Sequence, residues 1–238
     1  MKIAVKIGTN AIFNQEKQII KEDIIDKIAK DTSLLLQQGN EVIIITSGAV
    51  GSGKQFIKGE DGLGLKQAQA AVGQPILMSN YAKHFSKYNL YVSQFLLSTA
   101  DLDNKLNLAN IKDTYKHLVG KSIPIINEND TTATEELSFG DNDALSAQLV
   151  ISLDFDMLII LTELGALIKD CKPLKESNSF DVKYYDSVKI SAKGFGGLKS
   201  KLDSVKKVVQ SRKQCIIAKA GDNLAEILSG KAIATRFI

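Results

Sequence analysis

Tryptophan is absent from this chain of 238 residues, cysteine and histidine occur twice each, proline three times, and arginine only at positions 212 and 236. The cysteines, Cys171 and Cys215, stand 44 positions apart with no CxxC pair and no Cys/His cluster, so neither a disulfide framework nor a zinc site is indicated. Scarce arginine removes bidentate guanidinium clamps and leaves lysine as the anion-binding charge. The net charge is only +3 and no basic block exists, which gives no reason to expect nucleic acid or an anionic membrane as partner. No apolar run approaches membrane-spanning length, and the start, Met-Lys-Ile-Ala-Val-Lys-Ile-Gly, reads as a strand without a signal-peptide core. A cytoplasmic chain is the expectation. At 44% hydrophobic residues it can bury a sizeable core, and no linker or repeat divides it.

Short apolar runs alternate with longer amphipathic ones. Strands are expected at 3–7, 42–45, 91–97, 123–126, 157–161, 215–218 and 232–238. Helices are expected at 22–38, 65–88, 104–119, 145–151, 198–210 and 224–228, with Gly73-Gln74-Pro75 breaking or kinking the second. The run 42–45 does not alternate, which predicts a strand buried on both faces. Such alternation of strand and helix predicts a mostly parallel sheet with helices on both faces, in one domain. The polar stretch 163–193 is the least regular and reads as an excursion or lid.

The most informative stretch is Pro124-Ile-Ile-Asn127-Glu128-Asn129-Asp130, followed by Phe139-Gly-Asp-Asn142-Asp143 at a helix start. Amides and carboxylates this dense at the end of a buried strand are costly to desolvate unless they bind something. Ligands in open α/β sheets sit at the carboxyl ends of strands. Asx turns and a helix N-cap would account for either cluster alone; two clusters flanking one connection favour a site. Other strand ends carry Lys6-Ile7-Gly8-Thr9-Asn10 and Thr46-Ser47-Gly48-Ala49-Val50-Gly51. Glycine lets backbone amides approach an oxyanion, and hydroxyls and Lys6 add donors and charge. Residues 48–54 match seven positions of GxxxxGK[ST], but Gln55 stands where the metal-binding hydroxyl belongs, so a P-loop is not supported. No GxGxxG is present. Gly194-Phe195-Gly196-Gly197-Leu198-Lys199-Ser200-Lys201 precedes a helix and makes a plausible phosphate cradle. Lys199 and Lys201 point in different directions on that helix, so only one is expected to face the site.

In order and spacing, these segments, together with Ala70-Ala71-Val72-Gly73-Gln74 and Leu161-Thr162, resemble the glutamate 5-kinases of the amino-acid kinase superfamily. The resemblance covers essentially the whole chain, and the Asn-Glu-Asn-Asp plus Gly-Asp-Asn-Asp pair is its specific part. It implies a three-layer αβα sandwich on a mostly parallel sheet of about eight strands. It also implies an acceptor-binding part at about 1–150, a nucleotide-binding part at about 151–238, and a short form that lacks the family's RNA-binding-like (PUA) domain.

The implied reaction transfers the γ-phosphoryl group of ATP, with Mg²⁺, to the side-chain carboxylate of L-glutamate, the first step of proline synthesis. Lys6 and Lys201 would flank the moving phosphoryl group, with Asp143 orienting both ammonium groups. Glutamate would lie on Ser47, Gly48, Ala49, Asn127, Asp130 and Asn142, with Asp130 on its α-ammonium group. The nucleotide would lie on Lys6, Gly8, Thr162, Glu163, Gly194, Phe195, Gly196, Gly197, Leu198, Lys199, Ser200 and Lys201. No protein residue is assigned as a metal ligand, since Mg²⁺ would be held by phosphate oxygens and water. Proline as feedback inhibitor and a homodimer or homotetramer belong to the same implication.

The nucleotide half departs from the family pattern. Leu-Thr-Asp-x-x-Gly-Leu-Tyr stands here as Leu161-Thr162-Glu163-Leu164-Gly165-Ala166-Leu167-Ile168, and Gly-Thr-Gly-Gly-Met as Gly194-Phe195-Gly196-Gly197-Leu198. Weakened or altered nucleotide use is the expectation these changes raise. Two alternatives stay open from the residues: a superfamily kinase with another acceptor, such as a nucleoside monophosphate, carbamate or an isoprenoid phosphate, and a non-catalytic protein of the same fold.

Overall fold

The computed structural model describes residues 1–132, 142–186 and 197–238. The first half runs β1 (Lys2–Ile7), α1 (Thr9–Ile12), β2 (Phe13–Asn14), β3 (Ile19–Ile20), α2 (Glu22–Gln37), β4 (Glu41–Ile45) and α3 (Ala49–Gly53). It continues through α4 (Leu63–Ser86), β5 (Val92–Leu97), α5 (Thr99–Asp103), α6 (Lys105–Leu118) and β6 (Ile123–Glu128). The second half runs α7 (Asn142–Ser152), β7 (Met157–Thr162), β8 (Ile168–Lys169), β9 (Lys172–Pro173) and β10 (Glu176–Ser177). A 3₁₀ turn (Val182–Tyr184), α8 (Leu198–Gln210), β11 (Gln214–Lys219), α9 (Leu224–Ser229) and β12 (Ala234–Phe237) complete it.

Eight strands form one sheet in the order β10-β12-β11-β7-β1-β4-β6-β5, parallel except where β12 returns beside β11. Alternate residues of each strand face opposite layers. Ile3, Val5 and Ile7 of β1, with Val42 and Ile44 of β4, pack under α1, α2, α4 and α9. Ala4, Ile43 and Ile45 pack on the other side, against α5, α6, α7 and α8. The sheet is therefore covered on both faces, as the non-alternating run 42–45 requires. Lys6 has the parity of Ala4 and is the buried charged residue of the strand, whose other lysine, Lys2, stands at its start.

Two features differ from the sequence expectation. Helix α4 runs without interruption through Gly73-Gln74-Pro75, where a break or kink was expected, so the helix is not broken there. Pro75 and Ala71, whose carbonyl loses its partner, both lie on the solvent face, so water can satisfy the vacated acceptor. Gly73 also has a packing purpose: a Cβ there would stand 1.8 Å from the Ala49 carbonyl oxygen, and one at Gly53 would stand 1.9 Å from that of Gln69. Only glycine lets α3 and α4 cross this closely. The described part of 163–193 is also more ordered than expected. It holds the β8–β9 hairpin, closed by the Asp186 carboxylate accepting from the Asp170 and Cys171 amides, and β10 pairs with β12. Residues 187–193 of that segment lie outside the described residues.

Candidate active site

Strand β1 sits at the middle of the sheet, with β4 and β6 on one side and β7 and β11 on the other. Chain connections diverge at this point, which is where crevices open at the carboxyl ends of the strands. Lys6 lies near that end of β1, and α7 begins over it with Asn142 and Asp143. An acid in the first turn of a helix is favoured by the helix dipole.

Asp143 is clamped by two lysines. Its Oδ1 lies 2.7 Å from Lys6 Nζ and its Oδ2 3.1 Å from Lys201 Nζ. The Lys6 and Asp143 side chains are 4% and 2% exposed, and that of Lys201 is 19% exposed, so one ammonium group is sealed and the other faces the opening. Burial pushes the Asp143 carboxyl up, but the charges of Lys6 and Lys201 and their hydrogen bonds outweigh it and hold the group below the usual carboxylate range. Asp143 is thus a fixed anion that orients two cations, held in the ionised form by both. Of the two lysines early in α8, Lys201 faces the site and Lys199 is exposed.

On the β4/β6 side, side-chain amides form a relay. Asn142 Nδ2 donates to Ser47 Oγ at 3.3 Å and to Asn127 Oδ1 at 3.2 Å. Asn127 Nδ2 donates to Gln74 Oε1 at 2.8 Å, and the Glu128 amide donates to both Asn127 Oδ1 and Asn142 Oδ1. All of these side chains are buried. Gln74 Nε2 ends the relay as a buried donor with no partner among the described residues. Gln74 stood in a quoted motif, but its role in fixing Asn127 emerges only from the crossing of α4 over β6. The loop before α3 shapes the same wall. Gly48 adopts φ +104°, and a Cβ there would stand 3.3 Å from Ile12 Cγ2. Ser47 and Ala49 are buried beside it. Asp130, just past β6, is 8% exposed, and burial alone raises its pKa to about 6.

On the β7 side the arrangement is looser. Thr162 Oγ1 accepts from the Gly165 amide at 2.9 Å and closes the turn after β7. Glu163 points away to Lys21 Nζ at 3.3 Å, and that lysine also donates to the Asn10 carbonyl. Gly8 is open: an added Cβ would stand 3.4 Å from Leu161 O and 4.0 Å from Lys6 Nζ, so a group of that size fits beside the ammonium. Gly197 precedes α8, Leu198 and Ser200 are half-buried and Gly197 is exposed. Gly194, Phe195 and Gly196 lie outside the described residues, as do Phe139, Gly140 and Asp141. Among the described residues no group of three or more His, Cys, Asp or Glu could hold a metal ion, and no helix is long and apolar enough to cross a membrane.

Comparison with known proteins accords with this layout. The model of the Amino acid kinase family matches residues 1–219. The glutamate 5-kinase of Prochlorococcus marinus (strain MIT 9301) is 35% identical over 250 residues, 98% of this chain and 69% of that protein. That of Thermotoga maritima is 34% identical over 246 residues, 100% of this chain and 68% of that protein. Among solved structures, carbamate kinase from Giardia lamblia bound to AMP-PNP superposes with a TM-score of 0.68 at 16% identity. UMP kinase from Ureaplasma parvum gives 0.64 at 12% identity, and each likeness covers 100% of this chain and 98% of the other. These two likenesses bear on the fold.

Proposed function

This chain belongs to the amino acid kinase family and, within it, to the glutamate 5-kinases, and from that premise we propose how its residues divide the work. It transfers the γ-phosphoryl group of ATP to the side-chain carboxylate of L-glutamate. The observation that carries the assignment of roles is the Lys6–Asp143–Lys201 clamp standing beside the Ser47/Asn127/Asn142 relay. A γ-carboxylate with a pKa of about 4.3 is ionised at neutral pH, so no base is needed. What the transition state requires is relief of repulsion between an anionic nucleophile and a polyanionic donor. Lys6 and Lys201 supply that relief, and Asp143 keeps their ammonium groups apart and aimed.

The carboxylate oxygen attacks the γ-phosphorus in line, the bond to the ADP oxygen breaks, and an acyl phosphate forms. Ser47, Asn127 and Asn142, with the backbone at Gly48 and Ala49, hold the amino acid, and Asp130 takes its α-ammonium group. A pocket built from these residues brings no cation for a phosphorylated acceptor, which favours glutamate over a nucleotide. The donor lies on Lys6, Gly8, Thr162 and the start of α8; residues from about 151 to 238 thus serve mainly the donor and those from about 1 to 150 mainly the acceptor, with Lys6 and Gly8 at their junction. Glycine at position 8 and the charges of Lys6 and Lys201 suit the approach of a phosphate group. Mg²⁺ fits as an ion held by phosphate oxygens and water, since Asp143 is already engaged by two lysines. When bound, it withdraws charge from the phosphates. Proline competing in the glutamate pocket, a homo-oligomer and a cytoplasmic setting complete the proposal, supported by the family alone.

The test is ADP release with L-glutamate, trapping the product with hydroxylamine, beside Lys201→Ala and Asp143→Ala. Hydroxamate from glutamate but not from aspartate, lost in both variants, is the expected result. Full turnover in Asp143→Ala would end the assignment of the clamp.

A further inference from the structure

The described residues contain a third lysine at the carboxyl ends of the central strands. Lys219 closes β11 and pairs in register with Thr162, the last residue of β7. In β11, Cys215 and Ile217 face the α7/α8 layer, and Lys219 has the same parity. By the same alternation, Lys6 in β1 and Thr162 in β7 face that layer too. Three neighbouring strands thus carry Lys6, Thr162 and Lys219 on one face at or next to their carboxyl ends. Lys6 is level with Ile160 and Ile217, so Lys219 stands two strand spacings across and two residues further along, about 12 Å away.

The side chain has been given room and no partner. Gly165, at φ +84°, carries the turn closed by Thr162 over Lys219, and a Cβ at Gly165 would stand 3.0 Å from Lys219 Cβ. Lys219 is exposed, and its ammonium group makes no hydrogen bond or ion pair among the described residues. Direction follows from the rest of the site. The amide relay lies on the β4/β6 side of β1, so an in-line transfer at Lys6 sends the leaving group the other way, over β7 towards β11.

We propose that Lys219 binds the phosphates that remain on the leaving nucleoside diphosphate, as a donor-side cation additional to Lys6 and Lys201. The inference rests on the kinase reading above, and it locates a binding residue on the side where the loop sequence departs from the family pattern.

Calorimetric titration of ADP with excess Mg²⁺ and no glutamate tests it, on wild type, Lys219→Ala, Lys219→Arg and Lys206→Ala, the last a lysine on the exposed side of α8. A lost charge-assisted contact corresponds to about tenfold in affinity. Lys219→Ala should weaken ADP about tenfold, with Lys219→Arg and Lys206→Ala near wild type and adenosine binding equal in all four. ADP affinity within about twofold of wild type in Lys219→Ala would overturn the proposal. So would equal weakening in Lys206→Ala, equal weakening of adenosine, or no ADP binding by wild type. Absence of hydroxamate from glutamate would remove the proposed reaction while leaving this titration readable.

Discussion

Replacing Asp130 by Asn should stabilise the free protein and at the same time destroy its affinity for glutamate. In the free protein this carboxyl is 8% exposed, and its pKa stands at about 6 against an ordinary 3.8, with burial as the cause. A folded-state pKa raised above the unfolded one means that stability is fully present below pH 3.8 and is lost as pH rises through 6. The difference of about 2 units corresponds to about 3 kcal/mol withheld at pH 7.5, at 1.36 kcal/mol per unit. Asn is never charged and carries no such penalty. Chemical denaturation at pH 7.5 should therefore show Asp130→Asn more stable than wild type by up to about 3 kcal/mol, or roughly 6–12 °C in Tm. The gap should shrink to about half at pH 5. Glutamate reverses the order, because its α-ammonium group supplies the counter-charge. It should raise the Tm of wild type and leave the variant unmoved, and wild-type affinity should weaken about tenfold per pH unit below 6. A variant no more stable than wild type at pH 7.5, or a gap independent of pH, would refute the reasoning.

Two further substitutions probe the frame of the site. Gly73→Ala drives a methyl group to 1.8 Å from the Ala49 carbonyl, so α3 must shift and carry the Ser47–Ala49 loop with it; thermal unfolding should fall by the equivalent of about 3 kcal/mol and glutamate KM should rise. Asp143→Ala leaves the Lys6 ammonium, 4% exposed, without its carboxylate, and urea denaturation should show a loss of about 3–5 kcal/mol.

The architecture was legible because apolar period and turn chemistry agree along most of the chain. The run 42–45 announced a doubly buried strand, and the polar clusters at 127–130 and 142–143 announced the carboxyl end of one strand and the start of a helix. Of the break or kink expected at Pro75, the break does not occur, because a proline on the outer face of a long helix loses one hydrogen bond that water can replace, and only burial reveals which face that is. The small strands β2, β3, β8, β9 and β10, of two residues each, are too short to carry a period. Within the site, the Lys6–Asp143–Lys201 group was legible by family pattern, and the parity of Lys6 with Ala4 supplies its physical reason. The Gln74 contact was not, since it depends on where one helix crosses another. Lys219 was passed over because the strand was expected to end at 218, although the rule that ligands gather at carboxyl ends of strands would have pointed to the next residue.

The central place of β1 also bears on how the molecule is made. One edge of β1 pairs with β4 some forty residues later, and the other waits for β7, with Lys2 bonded to Asp156 across a separation of 154 positions. During synthesis the first half can close around β1, β4, β6 and β5 while one side of its innermost strand stays open. That edge is apolar on the face of Ile3, Val5 and Ile7 and has unpaired amides, the kind of surface that recruits foreign strands. A pause in translation between β6 and β7 should therefore be the moment of greatest aggregation risk, and chaperone binding should concentrate on nascent chains of that length.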